Sequence, residues 1–348
     1  MKTILSKIIL WGLFFCVLLS SWLYGLVTQF LYSPIDLSQH NADDVIITIP
    51  AGTSFSELSW QLYDQGMINY PKLYIAYARL SDQTNIKTGE YAVTTEDVPR
   101  SLLFKFNQGY VVQHKITFLE GWSFDDMLEE LSQIDQFAQA TDMDIPVLLS
   151  SADIVVDHPE GWFFPDTYSY TSAESAVDVL SRAHKKMLEV LNIEWQLRAP
   201  DLPYASPYEA LIMASIVEKE TGLPSERKQI AGVFVRRLER GMRLQTDPTV
   251  IYGMGDDYQG NIRRSDLKRT TAYNTYRIDG LPPTPIAMPS RAAINAALHP
   301  ASGSALYFVA RGDGGHYFSE TLEEHNRAVK KYQIEQRAKN YQSAPNQN

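Results

Sequence analysis

The chain has 348 residues, of which 45% are hydrophobic and 21% charged, a composition typical of folded proteins and unlike that of disordered ones. This length allows two or three domains with a sizeable core. The net charge of −10 argues against a nucleic acid as partner, because a polyanion would be repelled.

The first predicted element is a membrane-spanning helix. Ile8 to Leu31 is an apolar stretch without a charged residue, long enough to cross a bilayer. Lys2 and Lys7 precede it and the next Lys or Arg is Lys72, so the positive-inside rule places the N-terminus in the cytoplasm and the remainder outside. A cleaved signal peptide is the competing interpretation, but its apolar region is usually shorter. Cys16, the only cysteine, lies in this stretch, so the exported part has no disulfide.

The predicted anchor comprises residues 1–32, and residues 33–44 are predicted to form a polar tether. A small domain follows over residues 45–118. Its β-branched and apolar patterns predict alternating strands and helices. The strands are predicted at 45–49, 87–93 and 111–118, and the helices at 54–64, 70–80 and 99–107.

An internal echo links this domain to the next. Ile47–Phe55 and Ile116–Phe124 match at a constant offset of 69 residues, and both predict a strand, a glycine turn, a serine cap and a helix. Two copies indicate a reused supersecondary unit. A small βα domain of this size resembles a LysM module, which binds glycan chains, and a spacer without a ligand is the alternative.

The most informative stretch runs from Ser206 to Gly222. Ser206 is a good N-cap, Glu209 completes a capping-box pattern, and Gly222 is a natural left-handed stop. Between them, Ala210–Val217 is apolar except for Ser215, which predicts a helix buried on every side.

Glu218 follows this apolar run directly. Burial and the negative end of the helix dipole both raise a carboxyl pKa, and an acid protonated near neutral pH is what general-acid catalysis requires. Glu220, two residues on, points to another side of the helix. The alternative is a surface acid at a fraying end, paired with Lys219, Arg227 or Lys228.

The region around this helix adds further candidates. Residues 125–200 are predicted to be mainly helical, interrupted by an aromatic, proline-bounded loop at 159–168 that offers Glu160 or Asp166 as a second acid. After a helix at 226–240, short polar side chains and a proline-rich run at 280–286 suit a groove. The remaining predictions are helices at 291–298 and from 322 to about 337, strands at 305–310 and 316–318, and a disordered tail at 339–348.

The sequence contains no nucleotide-binding, zinc-protease or serine-hydrolase motif. His158, His316 and His325 have no metal-ligand spacing, so we predict neither a metal nor a cofactor. The overall prediction is an α+β protein: an N-terminal transmembrane helix, a small LysM-like βα domain, and a mixed α/β catalytic domain at 119–338 with a buried central helix.

Three long stretches resemble the YceG-like family of endolytic murein transglycosylases. They are Ala214–Thr221, Leu244–Val250 and Tyr273–Ile286, and the resemblance extends from the anchor to about Lys330. One departure is Met288-Pro289-Ser290, where the family more often has proline followed by glycine, which puts the shape of that loop in doubt.

The resemblance implies that Glu218 is the catalytic acid and base. It also implies a single-pass protein of the bacterial inner membrane with a periplasmic catalytic domain, which cuts nascent peptidoglycan strands and terminates their elongation. Peptidoglycan synthases or division proteins are the protein partners it suggests. The residues carried over as substrate-binding are Gln245, Asp247, Tyr252, Tyr273 and Asn274.

Two other functions stay open at this point. One is a membrane-anchored, glycan-binding scaffold without catalysis, for which a buried acid has no purpose. The other is a two-carboxylate hydrolase that pairs Glu218 with Glu160, Asp166 or Asp247. The residues alone do not separate this hydrolase from a lytic transglycosylase.

Overall fold

A single long helix, α1 (Lys2–Tyr32), begins the computed structural model, which describes residues 2–40 and 44–335. Its Lys7–Tyr32 part is long and apolar enough to cross a membrane. The large apolar side chains described between Ile8 and Tyr24 are exposed, as they would be in a helix surrounded by lipid.

The described chain divides into two compact units, the first formed by residues up to His114 together with Ser169–Glu174 and the second by the rest. The predicted domain boundary after residue 118 lies just beyond this division. The first unit contains α1 and five further elements. These are β1 (Asp44–Ile49), α2 (Phe55–Asp64), α3 (Pro71–Leu80), β2 (Gly89–Thr94) and α4 (Pro99–Gln108).

Strands β1 and β2 pair antiparallel, with Ile47 opposite Tyr91, and their inward side chains pack on the helices. The strands and helices predicted here all form, with ends that shift by a few residues. The core of this unit also includes the end of α1 and the segment after it. Its buried side chains there are Phe30, Leu31, Ile35 and Leu37.

The segment predicted as a polar tether is therefore irregular, but part of it is packed. The Ile35 N–H donates to the Asp97 carbonyl at 2.8 Å, and Ile35 and Leu37 are each 3% exposed. Residues 41–43 of the predicted tether lie outside the described residues. The structure thus joins α1 to the first unit through buried contacts.

The internal echo is confirmed. Strands β1 and β3 (His114–Thr117) are each followed by a glycine with positive φ, Gly52 at 84° and Gly121 at 77°. Ser54 and Ser123 then cap α2 and α5 (Phe124–Ser132) by accepting the N–H three residues on. Helix α2 belongs to the first unit and α5 to the second, so the two copies contribute to separate units.

The second unit is mainly helical. Strand β3 pairs with β4, and β5 pairs antiparallel with β6, so the described sheets are small and two-stranded. The elements after α5 are α6 (Asp135–Thr141), α7 (Ile145–Ser151), β4 (Thr167–Tyr170), α8 (Ala176–Gln196), α9 (Pro207–Glu220), α10 (Arg227–Glu239), α11 (Asp247–Met254), α12 (Arg291–Leu298), β5 (Tyr307–Ala310), β6 (His316–Ser319) and α13 (Leu322–Val329). The last two residues of β4 belong to the Ser169–Glu174 segment of the first unit.

Helix α9 is the centre of this unit, as its apolar sequence predicts. Helices α8, α10, α11 and α12 all contact it, and every residue from Ala210 to Glu218 is buried. The α+β class is confirmed. The chain after α13 continues into a π-helical turn at Lys330–Glu335, and the predicted tail at 339–348 lies outside the described residues.

Two details at the ends of α9 differ from the prediction. Ser206 caps the helix, but the Glu209 carboxylate accepts the Ala205 N–H at 2.7 Å, so the reciprocal capping box does not form. At the other end Thr221, not Gly222, ends the helix, in an extended conformation. The Thr221 hydroxyl accepts the Leu223 N–H at 3.0 Å, a local turn that makes a left-handed glycine unnecessary.

Candidate active site

Glu218 lies in the last turn of α9, and its side chain is only 2% exposed. One carboxylate oxygen accepts the Ser290 N–H at 2.8 Å and also the Ser290 hydroxyl. The other faces Nη2 of Arg227 at 3.2 Å. These three donors satisfy a buried carboxylate, which would otherwise be costly to remove from water.

Three elements bring these groups together. Arg227 is the first residue of α10, and Ser290 is the N-cap of α12, where its hydroxyl accepts the Ala293 N–H at 3.2 Å. One helical turn before Glu218, Ser215 accepts the Ile286 N–H at 3.0 Å, so the 286–290 loop runs along α9. Ser215 and Glu218 therefore share one face of α9, as predicted, and the 286–290 loop covers that face.

A second carboxylate, Glu120, shares the same guanidinium. Its Oε2 lies 3.9 Å from Arg227 Nη2, and its side chain is 57% exposed. Burial of its inner part raises the pKa of Glu120, the negative charge of Glu218 raises it further, and Arg227 opposes both. The turn that carries Glu120 is fixed by Gly121, whose carbonyl accepts Lys219 Nζ at 3.0 Å.

Glu160, one of the predicted second acids, is also buried, at 3% exposure. It accepts the Phe124 N–H at 3.2 Å and the Tyr252 hydroxyl at 3.1 Å. Burial is the largest cause that raises the pKa of Glu160, to about 7. Asp166 differs, because its ion pair with Lys186 holds its pKa below the ordinary value.

Tyr252 and Tyr273, both predicted as substrate-binding, lie together beside Glu160. Their rings meet edge to face with centroids 4.9 Å apart, and both are half-buried. The Tyr273 hydroxyl is 2.8 Å from that of Thr284, so the proline-rich run joins this cluster. Burial raises the pKa of Tyr252, and the nearby Glu160 carboxylate adds to the rise.

The other two stretches that resemble the family, Leu244–Val250 and Tyr273–Ile286, contact each other through buried threonines. Thr246 N–H donates to the Thr275 hydroxyl at 3.0 Å, next to Gln245 and Asp247, whose side chains are exposed. Gln245 has a left-handed backbone with φ of 53°, which turns the chain into α11. Asp247 accepts the Tyr276 hydroxyl at 2.7 Å.

Glu220 contacts the same group of buried threonines, because its carboxylate accepts the Thr246 hydroxyl. Burial raises the pKa of Glu220 to about 7, and the neighbouring Asp247 adds to the rise. The predicted separation of Glu218 and Glu220 onto different sides of α9 agrees with these partners.

Asn274 has a different environment from the other four predicted residues. It is 1% exposed, and its amide nitrogen donates to the carbonyls of Asp266, at 3.0 Å, and Leu267, at 3.3 Å. Its amide oxygen accepts the Tyr276 N–H at 3.0 Å. These contacts use the amide to hold the 266–269 turn.

In the described part of the chain, none of the five predicted substrate-binding residues hydrogen-bonds to Glu218. Tyr252 and Tyr273 lie beside Glu160, and Gln245 and Asp247 flank the buried threonines.

A cleft of about 520 Å³ lies farther away, at the start of α9, lined by Ser206, Glu209 and residues 280–283. The proline-rich run therefore lines a groove, but the part that approaches Glu218 is the 286–290 loop. The described residues contain no cluster of His, Cys, Asp and Glu that could hold a metal ion.

Sequence reasoning missed Ser290 and Glu120 as neighbours of Glu218, and it considered Arg227 only for a surface pair. Ser290 carries one usable signal, since it precedes an alanine-rich helix as a cap and departs from the family pattern. Glu120 lies in the repeated strand–glycine turn, at a position equivalent to Ala51.

The fold and the site define an α+β protein with a long apolar N-terminal helix and a buried acid at the end of a central helix. The model of the YceG-like family matches residues 47–331. The chain belongs to the YceG-like family, as its sequence motifs predict.

Curated relatives and a solved structure agree with this assignment. The endolytic murein transglycosylase of Bacillus subtilis is 29% identical over 337 residues, covering 90% of each chain. The protein of the same name from Streptococcus pneumoniae R6 is 28% identical over 354 residues, and the match covers 91% of this chain but 63% of the streptococcal one. A crystal structure of a YceG-like protein from Listeria monocytogenes is similar with a TM-score of 0.53 and 31% identity, over 82% of this chain and 98% of that one.

Proposed function

We propose that this chain is an endolytic peptidoglycan lytic transglycosylase that cleaves the β-1,4 bond from N-acetylmuramic acid to N-acetylglucosamine within glycan strands. Glu218 is its general acid and base. The observation that carries the proposal is the Glu218 carboxylate, buried at the end of an apolar helix and held by Ser290 and Arg227. The name that the curated relatives share supports the class of reaction.

The chemistry needs one acid that changes role. Glu218 gives its proton to the glycosidic oxygen as the bond from that oxygen to C1 breaks. The muramoyl C6 hydroxyl then attacks C1 from within the same sugar, and the Glu218 carboxylate takes the hydroxyl proton. The products are a free 4-hydroxyl and a 1,6-anhydro end, no water is consumed, and Glu218 regains its proton.

The surroundings of Glu218 suit the half of this cycle in which it is a carboxylate. The Ser290 donors and Arg227 stabilise the carboxylate that forms when the proton leaves. Glu120 and Glu218 face one guanidinium, so a single cation neutralises only one of two acids. Burial and the charge of Glu218 raise the pKa of Glu120, so a second carboxyl that protonates more readily than a free one lies beside this guanidinium.

Attack by the C6 hydroxyl is favoured over attack by water because it is intramolecular. Well-oriented intramolecular reactions have effective molarities of about 10⁵ M or more. The protein then needs only to hold the sugar in the reactive shape. We assign this task to the exposed Gln245 and Asp247 and to the half-buried Tyr252 and Tyr273, and we assign Asn274 to shaping the 266–269 turn.

The remaining parts of the proposal concern location. Helix α1 anchors the protein in the bacterial inner membrane, with the N-terminus in the cytoplasm and both units in the periplasm. The first unit, with its β-α-α-β order, is a LysM-like module that holds glycan. The enzyme ends strand elongation beside peptidoglycan synthases or division proteins. A reporter that is active only outside the cytoplasm, fused to the C-terminus, should be active, and an inactive fusion at normal expression refutes this orientation.

The central experiment compares Glu218→Gln with the wild type on purified, uncrosslinked peptidoglycan strands. We expect activity to fall by about 100-fold or more, the usual contribution of acid–base catalysis. Mass spectrometry of the wild-type products should show internal cuts with 1,6-anhydro ends, which are lighter by one water than hydrolytic ends and resist borohydride. Full activity of Glu218→Gln would exclude Glu218 as the acid. A wild type that cuts no strands would support the scaffold function.

A second candidate is favoured by one specific observation. Glu160 is a buried carboxyl with a pKa of about 7 that accepts the Tyr252 hydroxyl, so it could supply the second acid of a two-carboxylate hydrolase. Such an enzyme would produce mainly reducible ends. Analysis of the product ends separates it from the transglycosylase, and the activity of Glu160→Gln provides a second test.

A further inference from the structure

The predicted membrane helix does not stop before the first unit begins. Phe30 and Leu31, the last apolar residues of the predicted span, are 7% and 5% exposed within the core of this unit. The Phe30 ring meets those of Tyr70 and Tyr74 edge to face, with centroids 5.9 and 5.8 Å away. The helix therefore belongs to the bilayer at one end and to a folded core at the other.

The lengths of these two parts leave no room for a spacer. Side chains from Ile8 to Gly25 are exposed, and Val27 is the first that packs partly against the core. Ile8 to Val27 spans about 30 Å at about 1.5 Å per residue, which equals the hydrocarbon thickness of a typical bilayer. Phe30 and Leu31 then lie only about 5 Å beyond it, within the headgroup layer.

Polar and aromatic side chains surround this end of α1. Tyr32 is 55% exposed and Tyr70 is 53% exposed, each close to the buried Phe30–Leu31 pair in sequence or space. The Arg100 guanidinium lies 5.4 Å from the centre of the Tyr32 ring and contacts its hydroxyl. Tyrosine is enriched at membrane interfaces, and arginine binds phosphate groups, so this chemistry suits phospholipid headgroups.

We infer that the first unit sits directly on the bilayer, with Tyr32, Tyr70 and Arg100 among the phospholipid headgroups. The inference rests on the membrane anchor proposed above and goes beyond it. An anchor alone requires only that α1 crosses the bilayer, whereas this surface gives the first unit a set height and contact face. The glycan-holding module would then work at the membrane surface instead of at the end of a flexible tether.

Depth-dependent quenching in lipid tests the inference on the full chain. Three proteins would carry one fluorophore each: at native Cys16, at Lys72→Cys with Cys16→Ser, and at Leu80→Cys with Cys16→Ser. Lys72 and Leu80 are both exposed on α3, in its first and last turns, about 12 Å apart. They form a matched pair that leaves the buried contacts intact. The proteins would be reconstituted in phosphatidylethanolamine–phosphatidylglycerol nanodiscs, one copy per disc.

We expect a headgroup-attached quencher to reduce the Lys72→Cys signal several-fold more than the Leu80→Cys signal. An acyl-chain quencher should reduce the Cys16 signal, which reports the anchor separately. Strong Cys16 quenching with equal signals at the two α3 positions would overturn the headgroup contact while leaving the anchor intact. Loss of Cys16 quenching would refute the anchor itself. If Lys72→Cys is quenched more than Leu80→Cys in vesicles but not in single-copy discs, the surface of Tyr32, Tyr70 and Arg100 binds a second copy of the protein. That result would also overturn the inference.

Discussion

Replacing Glu160 by Gln tests both the electrostatics of the second unit and the reaction that it performs. Glutamine resembles the protonated acid in size and can still accept the Phe124 N–H and the Tyr252 hydroxyl. It cannot ionise. The substitution therefore removes the cost of a buried charge and leaves the neutral hydrogen-bonding group in place.

The size of the effect follows from the raised pKa. The rise from an ordinary 4.5 to about 7 corresponds to about 3 kcal/mol, at about 1.4 kcal/mol per pKa unit. Because the folded pKa is raised, the stabilisation from the neutral acid is fully present below pH 4.5 and is lost as the pH rises through 7. The wild type should lose this contribution between those values, and Glu160→Gln should not.

The assay is urea unfolding at about pH 5 and about pH 8, followed by tryptophan fluorescence in mild detergent. Relative to the wild type, Glu160→Gln should gain about 3 kcal/mol in unfolding free energy from the lower to the higher pH. Glu129→Gln is the matched control, because Glu129 is exposed on α5, the helix whose first N–H donates to Glu160. A pH-independent difference for Glu160→Gln would refute the buried neutral acid.

The same variant separates the two enzymatic mechanisms. A transglycosylase with Glu218 as its single acid should keep activity within several-fold near pH 6, because glutamine reproduces the neutral Glu160. A hydrolase that needs Glu160 as base or nucleophile should lose about 100-fold or more. A loss of that size in a folded protein would count against the single-acid mechanism.

Further variants test the surroundings of Glu218. Arg227→Met leaves a buried carboxylate without its cation and should lower the unfolding free energy by about 3 kcal/mol or more at neutral pH. An almost unchanged urea midpoint would contradict this expectation. Ser290→Gly keeps the backbone donor but removes the hydroxyl that stabilises the Glu218 carboxylate, so activity should fall by about 10-fold or more. Unchanged activity would mean that the hydroxyl bond is unimportant. Glu220→Gln should reduce activity far less than Glu218→Gln, and equal losses would contradict their separation on α9. Asn274→Ala should lower the melting temperature, because the partly buried carbonyls of Asp266 and Leu267 lose their donor. A loss of substrate binding at unchanged stability would instead indicate that Asn274 lines the groove.

Local patterns in the sequence were sufficient for the elements that depend on local forces. The serine caps at Ser54 and Ser123, the glycine turns before them and the apolar run in α9 all act over a few residues, so their chemistry is readable directly. The membrane-spanning length of α1 is likewise a property of consecutive side chains. These features predict the α+β class and place Glu218 at a buried helix end.

Only the tertiary structure decided which groups surround that acid and which part of α1 packs in a protein core. Arg227 and Ser290 are nine and 72 residues from Glu218 in sequence, and their approach depends on how α10 and α12 pack on α9. The family resemblance placed Asn274 among the substrate-binding residues, yet in the fold its amide nitrogen donates to backbone carbonyls. Phe30 and Leu31 are apolar in either setting, so hydropathy cannot tell lipid from a protein core. The packing of α1 against the first unit made that distinction.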